Sequence, residues 1–186
     1  MKLNKIMLAA VMAFGVSSVA HAAVKDQGHG KVTFSGSIID APCSIAPDSL
    51  DQTVELGAIS NVALKGNGTE GGKSTPRNFQ IKLENCDLNP TAPGKNNSVK
   101  VTFSGSPSEA NNALLGITGT AKGAGIAITD GSGKLITLGQ ASDARDLQNG
   151  ANTLSFAAYL QGAAASTATI TPGEFQSVAD FTLAYQ

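Results

Sequence analysis

Gly173-Glu174-Phe175-Gln176-Ser177-Val178-Ala179-Asp180-Phe181-Thr182-Leu183-Ala184-Tyr185-Gln186 decides how the rest of this sequence is read. Gly173, Phe175, Ser177, Ala179, Phe181, Leu183 and Tyr185 fall on one side. Glu174, Gln176, Asp180, Thr182 and Gln186 fall on the other, with Val178 and Ala184 as its apolar exceptions. An alternation of period two marks a half-buried β-strand. The sequence stops on this strand, so its free edge is expected to need cover from another segment. A second strand is expected over Lys31 to Asp40, with Val32, Phe34, Gly36 and Ile38 on one face. Two unpartnered strands at opposite ends predict a subunit that shares strands with its neighbours.

The first residues read as an address. Lys2 and Lys5 form a basic start, Ile6 to Val16 is apolar but for Gly15, and Ala20-His21-Ala22 is an A-x-A cleavage site. The apolar run falls well short of the roughly 20 residues that span a bilayer, which argues against a membrane anchor. Cleavage after Ala22 leaves 164 of 186 residues, a length that suits one domain. Removing Lys2 and Lys5 leaves 11 basic against 14 acidic residues, a net charge of −3. That is too mild to indicate a nucleic acid or an anionic membrane as partner. Cys43 and Cys86 are the only cysteines, and in an exported chain two cysteines read as one disulfide. Closing the 44 residues from Cys43 to Cys86 stabilises by about 4 kcal/mol on the chain-entropy account. A metal site needs more ligands, and after cleavage His29 is the only histidine.

Between the ends the sequence is all-β in pattern. Asn78 to Cys86 alternates Phe79, Ile81 and Leu83 against Gln80, Lys82 and Glu84, and Ser98 to Ser104 repeats this with Val99, Val101 and Phe103. Gly125 to Thr129, the turn Asp130-Gly131-Ser132-Gly133 and Lys134 to Leu138 form an expected hairpin. Thr153 to Leu160 adds Leu154, Phe156, Ala158 and Leu160. Many short strands separated by Gly, Asn, Asp, Ser and Pro clusters indicate a β-sandwich. Ala141 to Gly150 reads as a solvated loop or short helical turn, and residues 23–30 as a polar leader.

The materials for catalysis are sparse. With His29 in the leader, a Ser-His-Asp or Cys-His arrangement has no base in the folded body. Asp143 and Asp146 sit in the polar stretch and read as solvated carboxylates. Gly72-Lys73-Ser74 lacks the leading glycine of a phosphate loop, which is Asn67 here. Gly131-Ser132-Gly133-Lys134 has Ile128 and Leu135 where Gly and Ser or Thr belong. Both are expected to be turns. Asn67-Gly68-Thr69 matches a glycosylation sequon, relevant only in a host with that machinery.

The run Gly30-Lys31-Val32-Thr33-Phe34-Ser35-Gly36-Ser37-Ile38-Ile39-Asp40-Ala41-Pro42-Cys43-Ser44-Ile45 resembles the N-terminus of chaperone–usher pilins, above all the major rod subunits of P-type fimbriae. Tyr185 as penultimate residue, Gly173 fourteenth from the end, and the placing of Cys43 and Asn85-Cys86 carry the same resemblance across the mature chain. The resemblance implies an incomplete immunoglobulin-like β-sandwich that lacks its last strand and is completed by a donor strand from a neighbouring subunit. A periplasmic chaperone would fill the groove first, and exchange would follow at an outer-membrane usher, giving a homopolymer on the bacterial cell surface. By position, Val32, Phe34, Gly36, Ile38 and Asp40 would form the donor face, with Gly36 allowing close backbone approach. Gly173, Phe175, Ala179, Phe181, Leu183 and Tyr185 would line the acceptor groove, and the Gln186 carboxylate would meet the chaperone's basic anchor. Burying Val32, Phe34 and Ile38 at about 1.5–3 kcal/mol each gives roughly 5–9 kcal/mol, and strand addition contributes backbone pairing besides.

The expected organisation is a cleaved signal peptide at 1–22, an N-terminal extension with the donor strand at 23–41, and a pilin domain at 42–186. Neither enzyme activity, cofactor, metal nor small-molecule substrate is expected. One domain's length argues against a two-domain tip adhesin, and the lack of a long apolar N-terminal helix in the mature chain argues against a type IV pilin. A minor adaptor or terminator subunit is an alternative. From another class, the alternative is a self-contained secreted sandwich that binds carbohydrate or hydrolyses a substrate. With no Trp and only Tyr159 and Tyr185, it has few of the usual stacking groups.

Overall fold

The computed structural model describes residues 28–66, 71–88, 97–164 and 169–186. The expected signal peptide, residues 23–27 of the leader, and Asn67 of the sequon lie outside the described residues. The chain divides into two units, Met1–Ile38 and Ile39–Gln186. In the first, residues 28–38 are irregular and exposed, and the irregular backbone continues to Asp40. The strand expected over Lys31 to Asp40 is therefore not formed in the single chain. Extended backbone becomes a strand only when a neighbour exchanges hydrogen bonds with it, and no described ladder includes these residues.

The second unit is built almost wholly of strands. In chain order they are β1 (Ser44–Ile45), β2 (Arg77–Cys86), β3 (Ser98–Ser104), β4 (Leu115–Gly116), β5 (Thr118–Gly119), β6 (Ala124–Asp130) and β7 (Leu135–Ile136). β8 (Arg145–Asp146), β9 (Gly150–Gly162), β10 (Phe175–Gln176) and β11 (Asp180–Tyr185) follow. Two short helices, α1 (Pro47–Leu50) and α2 (Asn61–Lys65), lie between β1 and β2. One sheet runs β1-β2-β9-β6-β4 with β7 beside β6, another runs β11-β3-β8, and β10 pairs β5. Every described strand pair is antiparallel.

The alternation read in the sequence builds the core. Ile81 and Leu83 of β2, Leu154 and Phe156 of β9, and Val99, Val101 and Phe103 of β3 are buried in one cluster. Phe103 meets Phe156 edge-on at 5.2 Å and Phe79 at 6.1 Å, while Phe79 stacks on Phe156 at 5.5 Å. These three rings join the two larger sheets, and such aromatic pairs stabilise beyond their area alone. The Cys43–Cys86 disulfide is formed, with both residues buried. It fastens the chain before β1 to the end of β2. Asn85, in a left-handed conformation (φ 52°), accompanies the register shift between Leu83 and Cys86.

Two sequence expectations change in detail. Ala141 to Gly150 is not simply a solvated loop: Arg145 and Asp146 pair with Val99 and Ser98 as β8, and Leu147 is buried. Two-residue strands are too short for any period to announce them. The strand expected over Gly173 to Gln186 is divided into β10 and β11, which pair with different strands, β5 and β3. The inward and outward alternation nevertheless runs unbroken from Phe175 to Gln186.

The hairpin turn also ties the sheets together. Asp130 is buried at the end of β6, where its Oδ1 accepts hydrogen bonds from the Ser132 N–H (2.8 Å), Ser132 Oγ (2.6 Å) and the Lys134 N–H (3.0 Å). Its Oδ2 lies 3.6 Å from Arg145 Nη2 on β8, in the other sheet. The Ser132 hydroxyl bond, then the Lys134 and Ser132 backbone bonds and the Arg145 charge, hold the Asp130 carboxyl below the usual carboxylate range despite burial. A lowered folded-state pKa stabilises above the unfolded value, and that stabilisation is lost as pH falls through the folded value. Asp130→Asn should therefore destabilise at neutral pH by about 1–2 kcal/mol, the scale of hydrogen bonds to a charged acceptor. In denaturant melts across pH, its difference from the unsubstituted chain should narrow below about pH 4.

Candidate subunit interface

Among the described residues, β11 is satisfied on one edge only. Ser98 and Gln186 exchange both backbone bonds (Ser98 N to Gln186 O 3.0 Å, Gln186 N to Ser98 O 2.9 Å). Their pairing fixes the pattern along the ladder, because hydrogen-bonded and non-hydrogen-bonded pairs alternate in antiparallel strands. Asp180, Thr182 and Ala184 thus bond to β3. Phe181, Leu183 and Tyr185, opposite Phe103, Val101 and Val99, occupy non-hydrogen-bonded sites. The N–H and C=O groups of those three residues point to the free edge, where no described strand meets them. β3, by contrast, is used on both edges: Gly139 N donates to Phe103 O, Ser142 N to Val101 O, and Val101 N to Ser142 Oγ.

The same three residues carry the half-buried side chains. Phe181, Leu183, Tyr185 and Ala179 pack against the main core cluster without being buried by it. Partial burial pushes the Tyr185 phenol above its ordinary pKa, so it stays neutral. Phe175 packs with Leu56, Ile59, Ile117 and Ile170 on the second cluster, formed by Leu64, Ala124 and Leu160. Ile126 touches both clusters and joins them. A second unpaired stretch lies nearby in this set: among the described residues, the backbone of 53–59 makes no hydrogen bond. Its Val54 and Leu56 are half-buried between exposed Thr53, Glu55 and Gly57. This surface thus has an apolar floor, incompletely covered, and, among the described residues, at least one row of backbone groups without a partner.

Gly173 has a different setting from its expected neighbours. It is exposed, and a Cβ there would lie 2.4 Å from Thr120 Oγ1 and 2.6 Å from the Ala121 nitrogen. Glu174 O accepts from both Thr120 N (3.0 Å) and Ala121 N (3.1 Å), so Gly173 permits the close approach that anchors β10. Gln186 is exposed and held through its backbone to Ser98. Among the residues expected to form a donor face, Val32, Phe34 and Ile38 are exposed large apolar side chains, Asp40 is exposed, and a Cβ on Gly36 would meet nothing within 4 Å. Leu56, Ile59 and Ile117 were not singled out from the sequence. The Val54–Leu56 alternation was a legible signal for the first, whereas Ile59 and Ile117 are placed only by packing. Gly72, dismissed as part of a phosphate loop, is glycine because a Cβ there would lie 1.8 Å from the Ala63 carbonyl oxygen.

The family described as Fimbrial protein matches residues 32–186 of this chain. The Fimbria A protein of Serratia marcescens is 64% identical, with the whole of both chains covered. The Major MR/P fimbria protein of Proteus mirabilis is 51% identical, also over the whole of both. Among solved structures, a chaperone–usher pilus is similar with a TM-score of 0.75 and 35% identity, covering 89% of this chain and 100% of the other. The P pilus rod subunit is similar with a TM-score of 0.68 and 34% identity, covering 78% and 100%.

The free edge makes a direct prediction for the isolated chain. The amides of Phe181, Leu183 and Tyr185 should exchange with solvent at least about 100-fold faster than those of Thr182 and Ala184, as unpaired edge groups do. Residue-resolved hydrogen exchange checks this, and equal protection along β11 would mean that the outer edge is already covered.

Proposed function

This chain belongs to the fimbrial protein family, a structural and non-enzymatic family of exported pilins with an immunoglobulin-like fold lacking a strand, and from that premise we propose that it is the major rod subunit of a fimbrium assembled by donor-strand exchange. The observation that carries the reading is the double incompleteness of β11: inward side chains half-buried and outward backbone groups unpaired, in the same residues. One extended segment supplies both deficits, giving side chains to the floor and hydrogen bonds to the edge.

Residues 31–40 have the matching composition. Val32, Phe34 and Ile38 are apolar, exposed and two or four residues apart, and Gly36 sits between the bulky positions. A periplasmic chaperone lends a strand to the acceptor first, and at the outer-membrane usher residues 31–40 of the next subunit replace it. Repetition makes a homopolymer at the cell surface. In this scheme residues 1–22 are the export signal, 23–41 the extension, and 42–186 the pilin domain. The Cys43–Cys86 bridge stands at the junction of extension and domain, where load along a fibre passes from one subunit to the next.

Polymer from cells with the cognate chaperone and usher should run as a ladder on unheated SDS gels and collapse on boiling. A monomer stable without a chaperone would overturn the proposal. Gly36→Asn should lower ladder yield by about tenfold or more, since forcing a side chain into a close backbone approach costs about 1–3 kcal/mol. Tyr185→Ala should weaken recovery with the chaperone in pull-down. Normal fibre from both variants would remove these residues from the interface.

A further inference from the structure

The outward faces of the two segments each carry an apolar exception. Val178 is 79% exposed on a face otherwise formed by Gln176, Asp180 and Thr182. Ile39 is 61% exposed, and its neighbours on the same parity are Thr33, Ser35 and Ser37. Neither residue belongs to the donor face or the groove. Each exposes a β-branched side chain, well suited to cross-strand packing. Resting on the strand-exchange reading above, we infer that Ile39 of one subunit packs on Val178 of another, and that this outer-face pair sets the register of the junction.

Antiparallel pairing with Ile39 opposite Val178 fixes every other position. Ser37 falls opposite Asp180, Ile38 opposite the small Ala179, Gly36 opposite the large Phe181, and Phe34 opposite Leu183. A large residue thus meets a small one at Ile38–Ala179 and at Gly36–Phe181, Phe34 meets Leu183 as an apolar pair, and the Ser37 hydroxyl has a carboxylate to donate to. A slip by two residues keeps the donor face inward but ruins the outer face. It sets Ile39 against Asp180 in one direction and against Gln176 in the other, and moves Gly36 away from Phe181. On the donor face only Gly36 discriminates between these three registers, because each presents the same face to the floor; the outer-face pair adds a second, independent preference for the same one. A parallel arrangement that brings Ile39 to Val178 carries residues 31–38 upstream of β11 altogether.

The ladder pattern strengthens the pair. The odd residues of β11 offer their backbone to the incoming strand; carried two residues upstream of β11, the same parity puts Val178 and Ile39 at a non-hydrogen-bonded site. There Cα atoms of opposing residues stand about 4.5 Å apart and side chains approach most closely.

The test is cysteine pairing in assembled polymer. Chains carrying Ile39→Cys with Val178→Cys, with Asp180→Cys, or with Gln176→Cys are compared after mild oxidation on boiled, non-reducing gels. The first pair should give a covalent ladder at least about fivefold stronger than the other two, because a disulfide does not bridge Cα atoms much beyond 7 Å. A stronger ladder from either shifted pair overturns the register while leaving strand exchange intact. Absence of any heat-labile ladder from the unsubstituted chain overturns strand exchange itself. Helical reconstruction of unsubstituted polymer reads the same register without a variant: Phe181 opposite Gly36 is expected, and Ala179 or Leu183 there would refute it.

Discussion

The unpaired edge of β11 is the constraint on which the rest of the molecule depends. A sandwich buries its inner faces only where both sheets reach across, and the sheet β11-β3-β8 stops at β11. Two costs coincide there. Phe181, Leu183 and Tyr185 leave apolar area in water, and their own amides and carbonyls lack partners among the described residues. Ordinary edge strands avoid this with charge, proline or a bulge. β11 carries Asp180 on its outward face, and its groove face is apolar throughout.

The body around that edge is correspondingly firm. The Phe79–Phe103–Phe156 cluster joins the sheets, the disulfide holds β1 to β2, and Asp130 links the β6 turn to Arg145 of β8. Exposed ion pairs such as Lys82–Asp48 (2.7 Å) and Lys134–Asp143 (2.6 Å) add little to this, because solvent screens them. Under the proposed strand exchange, an acceptor that holds an open groove until a strand arrives needs rigidity elsewhere, since a core free to close would fill the groove with its own side chains. Close backbone packing at Gly173 against Thr120 and at Gly72 against Ala63 serves the same end, leaving no slack between elements.

In the proposed exchange, much of the chemistry is carried by parity. Along β11 the odd residues point their side chains inward and their backbone groups outward to the open edge. The even residues do the reverse. One incoming strand meets both requirements only if its own alternation is in phase, and residues 31–40 are in phase with Gly36 at the middle. On the proposed exchange, the outward exceptions Ile39 and Val178 would favour the same register as Gly36.

The sequence by itself determined the strands long enough to show a period, β2, β3 and β9, with the face that each buries, and the in-and-out order from Phe175 to Gln186; it also placed β6, but that strand is buried along both faces and Ile126, read as inward, is its least buried residue. It also determined the pairing of Cys43 with Cys86, there being no other cysteine. Alternation is a local property, written in side-chain polarity every second residue. Only the tertiary structure decided which edges stay empty, because an edge is defined by what fails to lie beside it. Tertiary structure also broke the C-terminal strand into β10 and β11 and turned Arg145–Asp146 into a strand. It left residues 31–40 without secondary structure, although their pattern is that of a strand. Their side chains prescribe a face, but a strand exists only when another backbone accepts its hydrogen bonds, and none of the described ladders supplies one.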